Sequence, residues 1–248
     1  MKRSVTREEQ KAIRQKYVVD DSCILCTQFV LHTRPSIWAK QGKKYAQSSD
    51  LLAETDSCLV VAGLGALAEG YVILLPKSHY LSIGALPQEQ MSEFVELKNH
   101  IGMLLKRLYG DIIFFEHGES SSNRAGKSVV HAHLHACPCN ADFRLHLQHR
   151  FSEKQISALS DLRDYGTADI PYLFYENVLG EKFVYVVSEH LPSQYLRRLW
   201  AQEVGRPRQW NWRVHTGEKN VARTISRIQD ALSEGPPGGF LKISHFGK

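Results

Sequence analysis

Cysteine is scarce and scattered in this chain of 248 residues, five of them at positions 23, 26, 58, 137 and 139. That is too few, too unevenly placed, for a disulfide framework, so reduced thiols or metal ligands are expected, in a reducing, cytoplasmic compartment. Long hydrophobic runs are missing. No segment approaches the ~18 continuous apolar residues of a membrane span. Met1-Lys2-Arg3-Ser4 leads into a charged stretch without the apolar core of an export signal. A strong excess of one charge is missing too: 31 Lys and Arg against 26 Asp and Glu leave +5. This suits a phosphate-bearing ligand but lacks the basic bias of a protein that coats nucleic acid. With 43% apolar residues, 17 Gly and 9 Pro, the composition is that of a globular protein with a sizeable core. Histidine, in contrast, is plentiful and uneven: of twelve, three fall within residues 131–135.

Hydrophobic patterning divides the chain. Val5 to Tyr17 reads as an amphipathic helix behind a Thr6/Glu9 capping box, a peripheral cover. Ser36 to Ser49 is polar and lysine-bearing, a loop or frayed helix. Leu59 to Ala62 and Tyr71 to Leu75 are short β-type runs separated by Gly63, Gly65 and Gly70. Pro87 to Tyr109 follows the 3.6-residue period and predicts a long helix. A strand at Asp111 to Glu116, a Gly/Ser/Asn-rich loop to Lys127 and a strand from Ser128 to Cys137 complete a strand-rich first half. The second half predicts a helix at Ser152 to Asp164 and a hairpin of Pro171 to Asn177 with Lys182 to Val187. Helices at Ser193 to Val204 and Glu218 to Leu232 follow, then a Gly/Pro tail. The expected division is an N-terminal helix over 1–19, a strand-rich domain over 20–145, a C-terminal α+β unit over 146–234 and a tail over 235–248.

His131-Ala132-His133-Leu134-His135 alternates strictly, so in a strand its three imidazoles share one face, neighbours ~6.6 Å apart, with Ala132 and Leu134 facing the core. Cys23-Ile24-Leu25-Cys26 has the spacing by which two thiolates share a tetrahedral metal, with redox chemistry as the rival use. Outside the triplet, His79 and His117 could close such a site, and spacing does not choose between them.

Gly126-Lys127-Ser128-Val129-Val130 followed by the H-x-H-x-H segment, then Ala136-Cys137-Pro138, resembles the signature of the histidine-triad (HIT) superfamily. Leu74-Leu75-Pro76-Lys77-Ser78-His79 resembles that family's I-P-K-x-H element, and the C-x-x-C pair resembles its zinc-bearing branch. The resemblance implies an α+β fold, an antiparallel sheet with a long crossing helix, followed here by a smaller α+β C-terminal unit. It implies a hydrolase or nucleotidyltransferase that cleaves a phosphoanhydride or phosphoramidate bond of a nucleotide-like small molecule through a covalent nucleotidyl-histidine. His133 would be the nucleophile, with His135 and Ser128 holding phosphate oxygens beside the Gly126 turn. Cys23, Cys26, His79 and His131 would hold a structural zinc ion with no open coordination position. The resemblance leaves a homodimer open.

Departures narrow the reading. Lys127 stands where the family has glutamine, and Gly63 falls where nucleoside-binding members carry an acidic residue for the ribose hydroxyls. The family's asparagine-like position falls on or near Glu116-His117, making Glu116 a candidate ligand contact. The run ending Ala125-Gly126-Lys127-Ser128 is not a P-loop, because Ser121 replaces the first glycine and a strand follows. Cys137-Pro138-Cys139 is too tight for a metal pair, and Cys58 is expected in the core. The second half resembles extensions of some bacterial HIT-like proteins and, more loosely, HIT-like splicing-associated proteins; by that resemblance Arg198 and Arg213 would complete the phosphate pocket. Two rival functions are aprataxin-like removal of adenylate from nucleic-acid ends and a non-catalytic HIT-derived binding module. The modest charge disfavours the first, and the intact middle histidine the second.

Overall fold

The computed structural model describes residues 5–34, 50–121 and 129–233, with the backbone of 242 and 243. Gly126, Lys127 and Ser128, the expected loop over Ser36 to Ser49 and most of the tail lie outside the described residues.

Alternating and continuous apolar runs produce a single antiparallel sheet. Its strands are β1 (Leu51–Glu54), β2 (Cys58–Ala62), β3 (Val72–Pro76), β4 (Ile112–Gly118), β5 (Leu134–Pro138), β6 (Glu153–Ile156), β7 (Tyr172–Glu176), β8 (Lys182–Val186) and β9 (Lys242–Ile243). They lie in the order β6-β8-β7-β4-β5-β3-β2-β1-β9. The hairpin β7/β8 therefore builds no sheet of its own. Strand β7 pairs directly with β4, Phe115 opposite Tyr175, and one core runs through both halves of the chain.

Helix α1 (Arg7–Lys16) starts at the expected capping box, Thr6 and Glu9 exchanging backbone and side-chain hydrogen bonds. None of its residues is buried; Ile13 and Tyr17 only cover a small cluster of Phe29, Val30, Leu59, Val61 and Leu75 on one sheet face. Helix α2 (Gln88–Tyr109) crosses the opposite face, burying Met91, Phe94, Leu97, Ile101, Leu104 and Leu105. Gly110, at φ 87°, ends it, as a residue without Cβ readily does. Short helices α3 (Arg144–Gln148) and α4 (Arg163–Thr167), then α5 (Tyr195–Glu203) and α6 (Glu218–Ser233), complete the elements. Among the described residues no helix is long and apolar enough to cross a membrane.

Two expectations are corrected. The helix expected over Ser152 to Asp164 is strand β6, a 3-10 turn at Leu159–Leu162 and the start of α4. Ile156, Leu159 and Leu162 recur every three residues, a period close enough to 3.6 to mimic a helix. The exposed edge of β8 instead recruits residues 153–156, and the Asp161 carboxylate closes the turn by accepting from the N–H groups of Ser157 and Ala158. Likewise, within the strand expected over Ser128 to Cys137, ladder pairing begins only at Leu134. His131 and His133 precede it, although Ala132 and Leu134 still enter the core as alternation requires.

Candidate active site and metal cluster

The turn carrying the C-x-x-C pair runs into a π-helical turn, Cys26–Val30, which brings both thiols to the end of β3. Among the described residues, Cys23, Cys26, His79 and His131 form a cluster whose ligand atoms all lie within 4.8 Å of one another, an arrangement able to hold a metal ion. Nδ1 of His131 lies 3.5 Å from the sulfurs of both Cys23 and Cys26, and Nδ1 of His79 lies 3.5 Å from Cys26. The opposite ring nitrogens are committed elsewhere: Nε2 of His131 donates to the Pro76 carbonyl at 2.9 Å, and Nε2 of His79 faces the Asp20 carboxylate at 3.8 Å. Such outer contacts fix the tautomer that offers Nδ1 to a metal. The interaction between the two sulfurs pulls the Cys23 thiol far below its usual range and, with burial, pushes Cys26 upward. None of the five cysteines forms a disulfide.

A cleft opens beside this cluster on the sheet face away from α2. His133 and His135 line it, with Tyr71 from β3's start, Phe115 and His117 from β4, and Arg197 from α5. Nδ1 of His133 lies 2.5 Å from the carbonyl of His131, which fixes the ring. His135 is sandwiched: its ring centroid lies 4.5 Å from that of Phe115 and 5.8 Å from that of Tyr71. Burial depresses the basicity of both triad imidazoles, and for each the Arg197 charge adds to the effect. His117 is pushed down to about 4 by burial and by His133. Each of these shifts favours the neutral ring.

The expected ligand contacts need correction. Glu116 lies on the opposite face of β4 from His117, fully buried; its carboxylate accepts from the Ile83 N–H and the Tyr172 hydroxyl, both at 2.7 Å, and does not reach the cleft. Arg198 stacks on Trp210 at 3.4 Å and donates to the Ser193 carbonyl, while Arg213 is exposed beside Trp212; neither lines the cleft. Arg197 does. Leu196, Arg197, Trp200 and Ala201 form the buried side of α5, and apolar partners three and four places after Arg197 were the signal that the inward arginine is this one.

Two cleft residues, Tyr71 and Asp50, carry no motif of their own. A Cβ at Gly63 would stand 2.1 Å from the Tyr71 ring, so the Tyr71 ring fills the space where a side chain at 63 would stand. Asp50, buried and bonded to Gln28 at 2.8 Å, brings a carboxylate to the same wall from just before β1. The loop between β2 and β3 is tied down by the second half of the chain: Thr216 accepts from the Gly65 N–H, Thr224 from that of Gly70, and Asn220 donates to the Ala66 carbonyl.

The antiparallel sheet, its single long crossing helix and the H-x-H-x-H segment opening onto a cleft define a HIT-like α+β fold. No family model matches the chain. CWF19-like protein 1 of Xenopus laevis is 27% identical over 152 residues, covering 60% of this chain and 28% of that protein. Its Mus musculus counterpart is 24% identical over 177 residues, covering 68% and 33%. The chain thus spans about a third of the length of the curated relatives it matches. Among solved structures, a HIT family protein from Bacillus anthracis is similar at 21% identity, over 48% of this chain and 74% of that one, with a TM-score of 0.35. A HIT family hydrolase from Clostridium thermocellum is similar at 17% identity, over 49% and 93%, also with a TM-score of 0.35.

Proposed function

We propose that the chain is a HIT-type hydrolase or nucleotidyltransferase acting at a phosphoanhydride or phosphoramidate bond of a nucleotide-like small molecule. The observation that carries this reading is the orientation of His133 at the cleft. With Nδ1–H donating to the His131 carbonyl, the lone pair of a neutral ring sits on Nε2. Attack by Nε2 forms a nitrogen–phosphorus bond while the bond from phosphorus to the leaving group breaks and its electron pair departs with that group. The His131 carbonyl stabilises the positive charge that develops on the ring. Water then attacks phosphorus, the nitrogen–phosphorus bond breaks, its electron pair returns to Nε2, and the water proton is released. Another nucleophile in place of water gives transfer. His135, its Nδ1 accepting from the Tyr71 hydroxyl, turns Nε2–H toward the phosphate oxygens. Ser128, Lys127 and the Gly126 turn are proposed as further phosphate contacts on the strength of the motif alone.

Zinc is the metal we propose for the Cys23, Cys26, His79 and His131 cluster. Bonds of ~2.3 Å to sulfur and ~2.05 Å to nitrogen at a tetrahedral angle put sulfur and nitrogen ~3.6 Å apart. The sulfur–nitrogen contacts of the cluster are 3.5 Å. Four protein ligands leave no position for substrate, so zinc would fix the His131 segment and with it the His133 ring. The test of the catalytic reading is incubation with nucleotides labelled at the α-phosphate, followed by acid and base treatment and peptide mapping. Acid-labile, base-stable label on His133, absent in His133→Ala, is expected; neither label nor turnover across a nucleotide panel would reject it.

A further inference from the structure

We propose that Arg197 is an anion-binding residue of the cleft, donating from Nη1 to a phosphate oxygen of the ligand that lies against His133 and His135. The inference rests on the reading of this cleft as a phosphate-group site and assigns part of that site to the second half of the chain.

Arg197 is only 4% exposed. Its Nε donates to the Trp210 carbonyl at 3.2 Å and its Nη2 to the Gly65 carbonyl at 2.8 Å. Both partners are neutral, so they orient the guanidinium without cancelling its charge. Nη1 is buried and has no hydrogen-bond partner among the described residues. An unmet buried donor is costly to a fold, more so when it belongs to a cation, and persists where something else completes it. Here the unmet donor belongs to a side chain that lines the cleft.

The surroundings fix this fork in place. Its central carbon lies 5.6 Å from the Tyr71 ring centroid and 5.4 Å from that of Trp200, an aromatic bracket that favours a cation. Gly65 has φ +78°, and a Cβ there would stand 2.7 Å from Nη2 and 2.4 Å from the Trp212 side chain. Glycine is what lets this loop carbonyl reach Arg197. From the other side, Gln194, left-handed at φ 59°, caps α5 and accepts from the Trp212 N–H at 3.3 Å. A planar donor with one free edge, held rigid beside two neutral imidazoles, matches a phosphate oxygen better than a neutral hydroxyl.

Calorimetric titration of the full chain with AMP and with adenosine separates this role from a structural one. Arg197→Met should weaken AMP binding roughly tenfold to a hundredfold, the effect of losing one charge-assisted hydrogen bond, and leave adenosine binding unchanged. A packing defect would weaken both ligands together and lower the melting temperature. Arg197→Lys, which keeps the charge but cannot serve two carbonyls and a ligand at once, should lower the AMP-to-adenosine affinity ratio less, and stands in if the Met variant does not fold. An unchanged ratio in the folded variants, or a native protein that binds AMP no better than adenosine, overturns the proposal. Label on His133 combined with an unchanged ratio removes the Arg197 site and keeps the catalytic reading. A collapsed ratio without any label does the reverse.

Discussion

The Tyr71 hydroxyl lies 2.6 Å from Nδ1 of His135, and both side chains are buried. A neutral imidazole has one donor and one acceptor nitrogen, so with the hydroxyl donating to Nδ1, as proposed, the ring carries its proton on Nε2. Tyr71→Phe keeps the stacking on His135 and removes that donor. Turnover of the substrate that labels His133 should fall by about tenfold, the worth of one hydrogen bond of ~1.4 kcal/mol, with most of the loss in kcat. Imidazole nitrogen NMR should show His135 shifting between tautomers. Unchanged kcat with an unchanged tautomer would remove Tyr71 from the chemistry.

Loss of the metal should loosen the segment before β5 that carries the nucleophile. Elemental analysis of the purified chain is expected to give close to one zinc equivalent, and Cys26→Ser to lose most of it. Chelation should lower the melting temperature, because binding free energy at a structural site is folding free energy. Label transfer to His133 should decline in parallel with metal content. A folded, metal-free protein with the native melting temperature would defeat the four-ligand assignment.

Much of this site was legible because its signals are local. The C-x-x-C pair, the motif ending in His79 and the H-x-H-x-H segment are each short, local patterns; spacing left His79 and His117 as alternatives, the resemblance chose His79, and the fold brings Cys23, Cys26, His79 and His131 together. The long helix and the β7/β8 hairpin were equally plain, since each repeats its period several times. What escaped depended on contacts distant in sequence. Arg197 and Arg198 differ only in which side of α5 is covered, and that is set by packing of Trp200 against Tyr71, far upstream. Glu116 and His117 are adjacent, and the direction of β4's pleat sends one into the core and the other into the cleft. Edge pairing with β8 made a strand of residues 153–156 where the pattern favoured a helix.

Glu116 makes stability depend on pH. Burial pushes its carboxyl up to about 8, from 4.5 when unfolded, so the folded state holds one more proton between those values. Stability from this group is therefore full below pH 4.5 and is lost as pH rises through 8. Its slope approaches ~1.4 kcal/mol per pH unit. Glu116→Gln fills the same volume without ionising and should flatten urea-unfolding free energies across that window. If the native protein and the variant show the same pH dependence, Glu116 is ionised in the fold and this account is wrong.

Lys98 and Glu176 form an ion pair on the face of the sheet opposite the cleft, each side chain 7% exposed. Lys98 also stands 4.3 Å over the Phe114 ring, and one oxygen of Glu176 has no hydrogen-bond partner among the described residues. Removing the cation alone strands a carboxylate in the core, so Lys98→Met should destabilise by about 3–5 kcal/mol. Replacing both residues, Lys98→Met with Glu176→Leu, removes the charge and the unmet oxygen together and should return most of the loss. Chemical unfolding of the two single variants and the double variant gives the coupling directly. Additive losses would mean that the pair is hydrated and each residue acts alone.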